Sequence, residues 1–262
     1  MDLQLVGKRV LVTGASKGIG LATVRAFLAE GATVVGTSRT LTAELEATGA
    51  AFVAADLSGT DGARRMVEAV LEADPRLDVL VNNAGGGEMP LEAFGDPLDG
   101  DEDVWDTSLG LNLRSAVRVT RAALPALTEA KGSIVNVSSH AGRAMSANPL
   151  HYVTAKAGLN MFSRALAEKL APSGVRVNVV SPAATRTNLT AGKDGFLARA
   201  AGAMGVDHAA LLAGAPEQTG MLTGQLAEPD EIARAILLLS SPAMPSLIGT
   251  NLLVDGGAVK VA

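Results

Sequence analysis

The stretch Arg9-Val10-Leu11-Val12-Thr13-Gly14-Ala15-Ser16-Lys17-Gly18-Ile19-Gly20 decides the fold. Arg9–Val12 is a short apolar run that closes in a glycine turn, the pattern of a buried strand. A helix pattern follows from Gly18 to Glu30 and stops at Gly31. Gly14, Gly18 and Gly20 therefore sit between a strand and a helix. In that context glycines let the backbone approach a pyrophosphate, and the helix N-terminus supplies amides and a favourable dipole. The spacing is G-x₃-G-x-G, which points away from the G-x-G-x-x-G dinucleotide folds. A tight connection with no ligand is the plain alternative.

Outward from this turn, strand-like and helix-like stretches alternate to the end of the chain. Further strands are expected at 32–36, 50–55, 77–81, 133–138, 175–180 and 251–254. Helices are expected near 41–48, 61–73, 103–129, 150–171 and 229–240. Such alternation argues for an α/β fold with a parallel sheet covered on both faces. Ligands in such folds bind at the carboxyl ends of the strands. Gly14 to Gly20, Arg39, Asp56, Asn83, Ser139 and Pro182 all fall there. Residues 1–262 read as a single domain, with no repeat or linker. The long segment 185–227 lacks strand periodicity and reads as a substrate lid or binding loop.

The chain has 262 residues, 48% hydrophobic and 19% charged, enough to fold around one core. Its net charge of −5 argues against nucleic acid and anionic membranes as partners. With no cysteine, thiolate metal sites, disulfides and redox switches are excluded. The start Met1-Asp2-Leu3-Gln4-Leu5-Val6 has no basic region before an apolar core, so it does not read as a signal peptide. No apolar run approaches the roughly 18 residues of a membrane span. A cytoplasmic location is the expectation.

Cofactor choice rests on the end of the second strand. An NAD site usually places Asp or Glu there for the ribose hydroxyls. From Ala32 to Ala43 there is no acid; Ser38 and Arg39 stand there, and Lys17 lies in the glycine turn. A guanidinium forks onto phosphate oxygens and an ammonium adds a point charge, so the set reads as an NADP 2′-phosphate site. The alternative is two solvated basic residues. Asp56 follows the third strand, as an adenine contact or a helix N-cap. Asn83 and Gly85 end the fourth, as an Asx turn or the wall of a cofactor cleft.

Tyr152 and Lys156, at i and i+4, share one helix face. A phenol, with a pKa of about 10, is a poor acid or base near neutrality. An ammonium about 4 Å from a phenolate contributes roughly 4 kcal/mol at an effective dielectric near 20. That corresponds to about three pKa units and an operating value near 7. Ser139, after the fifth strand, can donate to a carbonyl oxygen and accept in turn. Asn112 lies mid-helix between Leu111 and Leu113, where it either kinks the helix or orders a water beside Lys156. The acidic run Asp96, Asp99, Asp101, Glu102 and Asp103 reads as a solvated loop favouring a helix N-terminus, not as a metal site. His140 and His151 flank the candidate catalytic stretch without ligand spacing, and His208 falls on the lid. Met145, Leu189, Phe196, Met204 and Leu211 are candidate pocket residues for a partly apolar substrate, or simply packing.

Taken in order, Thr13–Gly20, Asp56-Leu57, Asn82-Asn83-Ala84-Gly85, Asn112, Ser138-Ser139, Tyr152-x₃-Lys156, Arg176-Val177-Asn178, Ser181-Pro182 and Val254-Asp255-Gly256-Gly257 resemble the short-chain dehydrogenase/reductase family over nearly the whole chain. The resemblance implies a Rossmann-type, doubly wound parallel sheet in order 3-2-1-4-5-6-7. It implies Tyr152 as general acid/base, Ser139 polarising the carbonyl, Lys156 holding the nicotinamide ribose and lowering the tyrosine pKa, and Asn112 in a water relay. Cofactor contacts are implied at Gly14, Ser16, Lys17, Gly18, Ile19, Gly20, Ser38, Arg39, Asp56, Leu57, Asn83, Ala84, Gly85, Tyr152, Lys156, Pro182 and Thr187, the last for the carboxamide. Ala183 departs from the family's glycine after Pro182 and narrows the nicotinamide wall by a methyl. Gly86 and Gly87 leave the next loop undetermined. A homotetramer, or a homodimer, is implied through the two long helices and the C-terminal segment. The expected activity is hydride transfer between NADP(H) and a ketone or secondary alcohol. The rivals are an NAD-dependent sugar or polyol dehydrogenase and a non-catalytic NADP-sensing module.

Overall fold

A computed structural model describes residues 1–86, 96–144 and 148–260. Seven strands form one parallel sheet: β1 (Arg9–Thr13), β2 (Thr33–Ser38), β3 (Ala51–Ala54), β4 (Val79–Asn82), β5 (Ser133–Val137), β6 (Arg176–Pro182) and β7 (Asn251–Val254). Their order is β3-β2-β1-β4-β5-β6-β7, the Rossmann-type arrangement, with the order reversing beside β1. β2 runs two residues past its expected end, because Thr37 and Ser38 pair with Val53 and Ala54. β6 likewise extends to Pro182, opposite Val254.

Helices cover both faces. α1 (Gly18–Ala29) and α2 (Ala43–Glu46) follow the first two strands, and α3 (Gly62–Ala73) follows the third. α4 (Glu102–Leu109) and α5 (Ser115–Glu129) are followed by α6 (Leu150–Leu170). α7 (Asn188–Ala191), α8 (Phe196–Met204), α9 (His208–Gln218) and α10 (Pro229–Ser240) complete the set. Side-chain alternation sorts the core into two layers. Val10 and Val12 of β1, Val79 and Val81 of β4, and Val135 and Val137 of β5 pack with Phe27 of α1 and Ile232 and Ile236 of α10. Leu11, Leu80 and Ile134 point the other way, onto Met66 and Val70 of α3 and Val119 and Leu127 of α5. Strands buried on both faces need apolar residues throughout, which is why they read as continuous Val/Leu runs.

Two arginines close helix ends at the edge of the sheet away from the glycine turn. Arg9 donates to the carbonyls of Val70, Asp74 and Arg76 at 2.7–2.8 Å, beyond the end of α3. Arg176 does the same for Leu239, Ser240, Ser241 and Leu247 around the end of α10. These carbonyls have no intrahelical partner, and a guanidinium supplies enough donors for several at once.

Two expectations are corrected. The helix expected over 103–129 is interrupted by a π-helical turn at Gly110–Arg114. The long segment 185–227 is largely helical, holding α7, α8 and α9. Its ends are clasped together: Thr185 bridges Ala227, Ala227 N–H donates to Ala184, and Arg186 pairs with Glu228 at 2.8 Å. Its far end docks on the C-terminal segment through Leu222 N–H to the Gly256 carbonyl, 2.7 Å, and Lys260 to the Gly220 carbonyl, 2.9 Å.

The β1–α1 turn is a point of close approach. Gly14 has φ +67°, in the left-handed region, and a methyl there would press on the Ala84 backbone. A methyl on Gly20 would fall onto the Gly14 carbonyl oxygen and the Asn83 amide. Gly20→Ala is therefore expected to destabilise the protein by about 1–3 kcal/mol, as overpacking does. Denaturant unfolding checks this, and an unchanged midpoint would contradict the close approach.

Candidate active site

The carboxyl ends of β1, β4, β5 and β6 converge on one cleft. Thr13, which ends β1, organises its floor. Its hydroxyl accepts from the backbone N–H groups of Asn83 and Ala84, both at 3.0 Å. Asn83 replies with its side-chain amide, donating to the Thr13 and Gly14 carbonyls at 2.9 and 3.1 Å. The loop after β4 and the glycine turn are thus stitched by four hydrogen bonds. Sequence reasoning saw Asn83 as a wall or an Asx turn and did not single out Thr13. The available signal was a hydroxyl residue ending an apolar strand directly before the turn.

The start of α1 forms an open cradle. Lys17 is its N-cap, extended at φ −160°, and no side chain caps the helix. Ser16, Gly18, Ile19 and Gly20 make up the rest of the turn. On its other side Thr187 leans against Gly18, within 3.1 Å of where a methyl would lie. Thr187 also caps α7 by accepting from Thr190 N–H. Lys17 and Arg39 are exposed and form no hydrogen bond or ion pair among the described residues; Arg39 does exert a charge effect on Asp56. The Ser38 hydroxyl is occupied by the Thr40 carbonyl at 2.7 Å. Asp56 is not a helix N-cap; α3 starts after Asp61. Asp56 accepts from the Ser58 N–H and hydroxyl at 3.0 and 2.8 Å. Those bonds, with the Arg39 charge, hold its carboxyl below the usual range. Leu57 is buried in the core beside it.

The π turn explains Asn112. Its amide donates to the Gly86 and Ser108 carbonyls at 2.8 and 3.0 Å, and its Oδ1 accepts from Gly86 N–H at 3.0 Å. The bulge aims this side chain at the loop after β4, in keeping with π turns at functional sites. A methyl on Gly85 would lie 2.9 Å from Asn112 Oδ1 and 3.2 Å from Lys156 Nζ. Asn112 thus holds the loop against the lysine, a backbone role that the sequence did not disclose.

Ser139, Tyr152 and Lys156 come together at the ends of β5 and α6. Lys156 is 4% exposed and donates to the Val137 carbonyl at 3.0 Å. Its Nζ stands 5.6 Å from the centre of the Tyr152 ring. Burial pushes the lysine down to about 8. Burial also raises the Tyr152 phenol, opposed by its hydrogen bond to Ser139. The tyrosine expected near 7 is thus shifted upward in this structure, because desolvation dominates and the ammonium is directed at a backbone carbonyl. Ser139 also accepts from Ala141 N–H at 3.2 Å. Beneath them Ser138 donates to the Lys156 carbonyl at 3.2 Å. A buried chain Thr120–Asn82–Asn136–Ser163, with links of 2.8–3.0 Å, ties α5 to α6 through the sheet. Of these, only Asn82 figured in the sequence reading, as part of Asn82-Asn83-Ala84-Gly85; Asn136 was not singled out.

Pro182 ends β6, and its carbonyl lies 3.2 Å from His140 Nδ1. Ala183 is buried beside it. Of the candidate pocket residues, Leu189 is half exposed and packs 3.8 Å from where a methyl on Gly86 would sit. Phe196, Met204 and Leu211 lie on α8 and α9, and Met204 is exposed. Met145 and Gly87 lie outside the described residues. The acidic run is structural: Asp96 accepts from Leu98 and Gly100 N–H, and Asp101 caps α4. Among the described residues no group of three His, Asp or Glu could hold a metal. A shallow cavity of about 260 Å³, lined by Arg25, Leu28, Glu44, Ala47 and Thr48, lies on α1 and α2 away from these groups.

The family model described as short chain dehydrogenase matches residues 8–195. The chain belongs to the short-chain dehydrogenase family. The dehydrogenase is 32% identical over 266 residues to the 3-oxoacyl-(acyl-carrier-protein) reductase FabG of Chlamydia pneumoniae, covering 98% of this chain and 99% of that one. It is 34% identical over 264 residues to the L-xylulose reductase of Mesocricetus auratus, covering 98% of each. In structure it resembles the ligand-free aldohexose dehydrogenase of Thermoplasma acidophilum, with a TM-score of 0.85 at 26% identity over 100% of this chain and 98% of that one. The family uses nicotinamide cofactors, and the residues here fit one. The uncapped start of α1 and the close-packed glycines leave room for a pyrophosphate, while Lys156 keeps donors for ribose hydroxyls.

Two buried histidines bear on how stability is expected to change with pH. Burial holds His140 and His151 below the ordinary 6.5. As pH falls through about 6.5, unfolded imidazoles take up protons that the folded ones refuse. Stability is therefore expected to fall with pH below that value, down to the folded pKa values. Melting temperatures between pH 8 and 5 test this: a curve flat to pH 5 contradicts it, and His151→Phe is expected to remove part of the slope.

Proposed function

We propose that this dehydrogenase reduces ketones with NADPH, or oxidises the matching secondary alcohols with NADP. The carrying observation is Arg39, at the end of a β2 whose neighbourhood from Ala32 to Ala43 has no acid, with Lys17 in the turn after β1, both basic and without an ion pair among the described residues. Both sit where a ribose 2′-phosphate would stand in this fold. The guanidinium would fork onto the phosphate and the ammonium would add charge.

The bound nicotinamide supplies or takes the hydride. Tyr152 acts as the general acid of reduction. The buried phenol is protonated at neutrality and so carries the proton for a carbonyl oxygen. Its raised pKa by itself weakens it as an acid, and positive charge beside the ring opposes that rise. Ser139, in hydrogen-bond contact with the phenol, steadies the charge developing on that oxygen. Lys156, fixed by Val137, holds the ribose and supplies positive charge behind the ring. Asn112 keeps Gly85 and Gly86 against that lysine, with an acceptor site left on Oδ1 for water. Asp56 and Leu57 would contact the adenine, and Pro182 and Thr187 would hold the nicotinamide end of the cofactor. The segment 185–227 serves as the substrate lid, hinged at the clasp of Thr185, Arg186, Ala227 and Glu228. The apolar Leu189 at its start favours a partly apolar substrate. The protein would work in the cytoplasm as a homotetramer, and the 70% exposed Met161 on α6 supports a helix-mediated contact.

The names of two relatives, L-xylulose reductase and aldohexose dehydrogenase, favour a second reading, an NAD-dependent sugar or polyol dehydrogenase. Fluorescence titration with NADPH and NADH separates the two. NADPH is expected to bind more tightly, and Arg39→Asp to weaken it by about 10- to 100-fold, the loss of one charge-assisted hydrogen bond. Tighter NADH binding, unaffected by that substitution, selects the second reading. Tyr152→Phe is expected to lower kcat by about 10²- to 10⁴-fold while NADPH binding persists. Turnover like that of the wild type would sink the mechanism.

A further inference from the structure

Between α4 and α6 runs a seam with buried polar atoms that are unpaired among the described residues. His151, in the first turn of α6, is fully buried. Its ring meets the Trp105 ring of α4 edge-on, with centroids 6.2 Å apart and planes at 75°. Neither Nδ1 nor Nε2 has a hydrogen-bond partner. A neutral imidazole carries one donor and one acceptor, so both needs are unmet together. Ser108 lies one turn beyond Trp105 on α4, on the same face. It too is buried, with an unpaired Oγ. The carboxylate that acts on His151 is Asp99. Its Oδ2 accepts from Leu150 N–H at 2.8 Å.

We propose that this seam is an internal water site, in which ordered water joins the His151 ring to the Ser108 hydroxyl and the Asp99 carboxylate. Internal waters make about three hydrogen bonds each, to buried polar groups that the protein does not pair. An imidazole, a hydroxyl and a carboxylate oxygen supply that number. Apolar packing alone would leave the atoms orphaned, which native interiors rarely tolerate.

The site has a consequence for the neighbouring residue. Leu150 is held by Asp99, and Trp105 Nε1 donates to the Leu98 carbonyl at 2.9 Å. The loop 96–101, Trp105 and the first turn of α6 are therefore one joined unit, and Tyr152 is its next residue. His151 is a positioning residue: its ring turns to α4, and water seats the turn that carries the phenol.

Two measurements test this. The first is a crystal structure at a resolution that orders water. It is expected to show a water within about 3.2 Å of a His151 nitrogen, bonded onward to Ser108 or Asp99. Dry ring nitrogens, or a protein group paired with both, overturn the proposal. Ser108→Ala removes one of the water's partners and little else, and is expected to lower the occupancy of that water; unchanged occupancy excludes Ser108 from the site and overturns the proposal as stated. The second is kinetic, and rests on Tyr152 being the acid. His151→Phe is expected to lower kcat by about 10- to 100-fold, the scale of a small misplacement of a reacting group, with NADPH affinity retained. His151→Asn, which keeps a donor and an acceptor, is expected to restore part of it. Full kcat in His151→Phe overturns the positioning role. The water is read from density alone, so failure of the kinetic arm together with an active Tyr152→Phe points to the mechanism, not to the seam.

Discussion

The lock between Asn83 and the β1 turn is the contact on which the cleft depends. Two parallel strands end side by side, and their following backbones would separate unless something replaced the ladder. Thr13 Oγ1 and the Asn83 amide do this, taking two N–H groups and two carbonyls that the sheet no longer pairs. Buried backbone groups left without partners are costly, so the lock is strongly favoured once the strands are set. It also dictates glycine at positions 14 and 20, because the approach it enforces leaves no space for a Cβ. The open start of α1 follows from this, since a turn drawn down onto β4 leaves its first amides facing outward.

The catalytic candidates depend on the same logic at the next strand. β5 delivers the Val137 carbonyl to Lys156, Ser138 holds the helix carrying that lysine, and Ser139 stands beside Tyr152. Burial from several sides lowers the lysine to about 8 and raises the phenol. Both shifts disfavour charge, but a lysine near 8 is still largely protonated at neutral pH, so the pair is an ammonium beside a neutral phenol in a setting where a new charge would interact strongly. The chain Thr120–Asn82–Asn136–Ser163 beneath it carries polar groups through the apolar core and fixes α5 and α6 relative to the sheet.

Much of the fold was legible because its signals are local. Continuous Val and Leu runs mark strands buried on both faces, and glycine placement marks the turns between layers. The strand order came from the order of motifs along the chain, not from any single run. The interruption of the helix at Gly110–Arg114 was legible only as the alternative that Asn112 kinks the helix: nothing in Gly110-Leu111-Asn112-Leu113-Arg114 distinguishes a π turn from an α turn. What selects it is the gain of three hydrogen bonds between Asn112, Gly86 and Ser108, partners distant in sequence or specific to that geometry. The helices of 185–227 were missed for a related reason. They are short and rich in Ala and Gly, and they are held by a clasp at one end and the C-terminal segment at the other. Tertiary contacts, not propensity, sustain such helices.

The sequence by itself determined the layered α/β architecture, the family, and which residue types stand at the strand ends, because periodicity and turn chemistry act over a few residues. Only the tertiary structure decided the state of those residues. The Lys156 ammonium meets a backbone carbonyl of β5, the acidic run becomes caps and a tether for α6, and His151 and Ser108 are buried with polar atoms that no described residue pairs. Protonation and pairing depend on what surrounds a group from every direction, and those neighbours come from segments that only the folded sheet brings together.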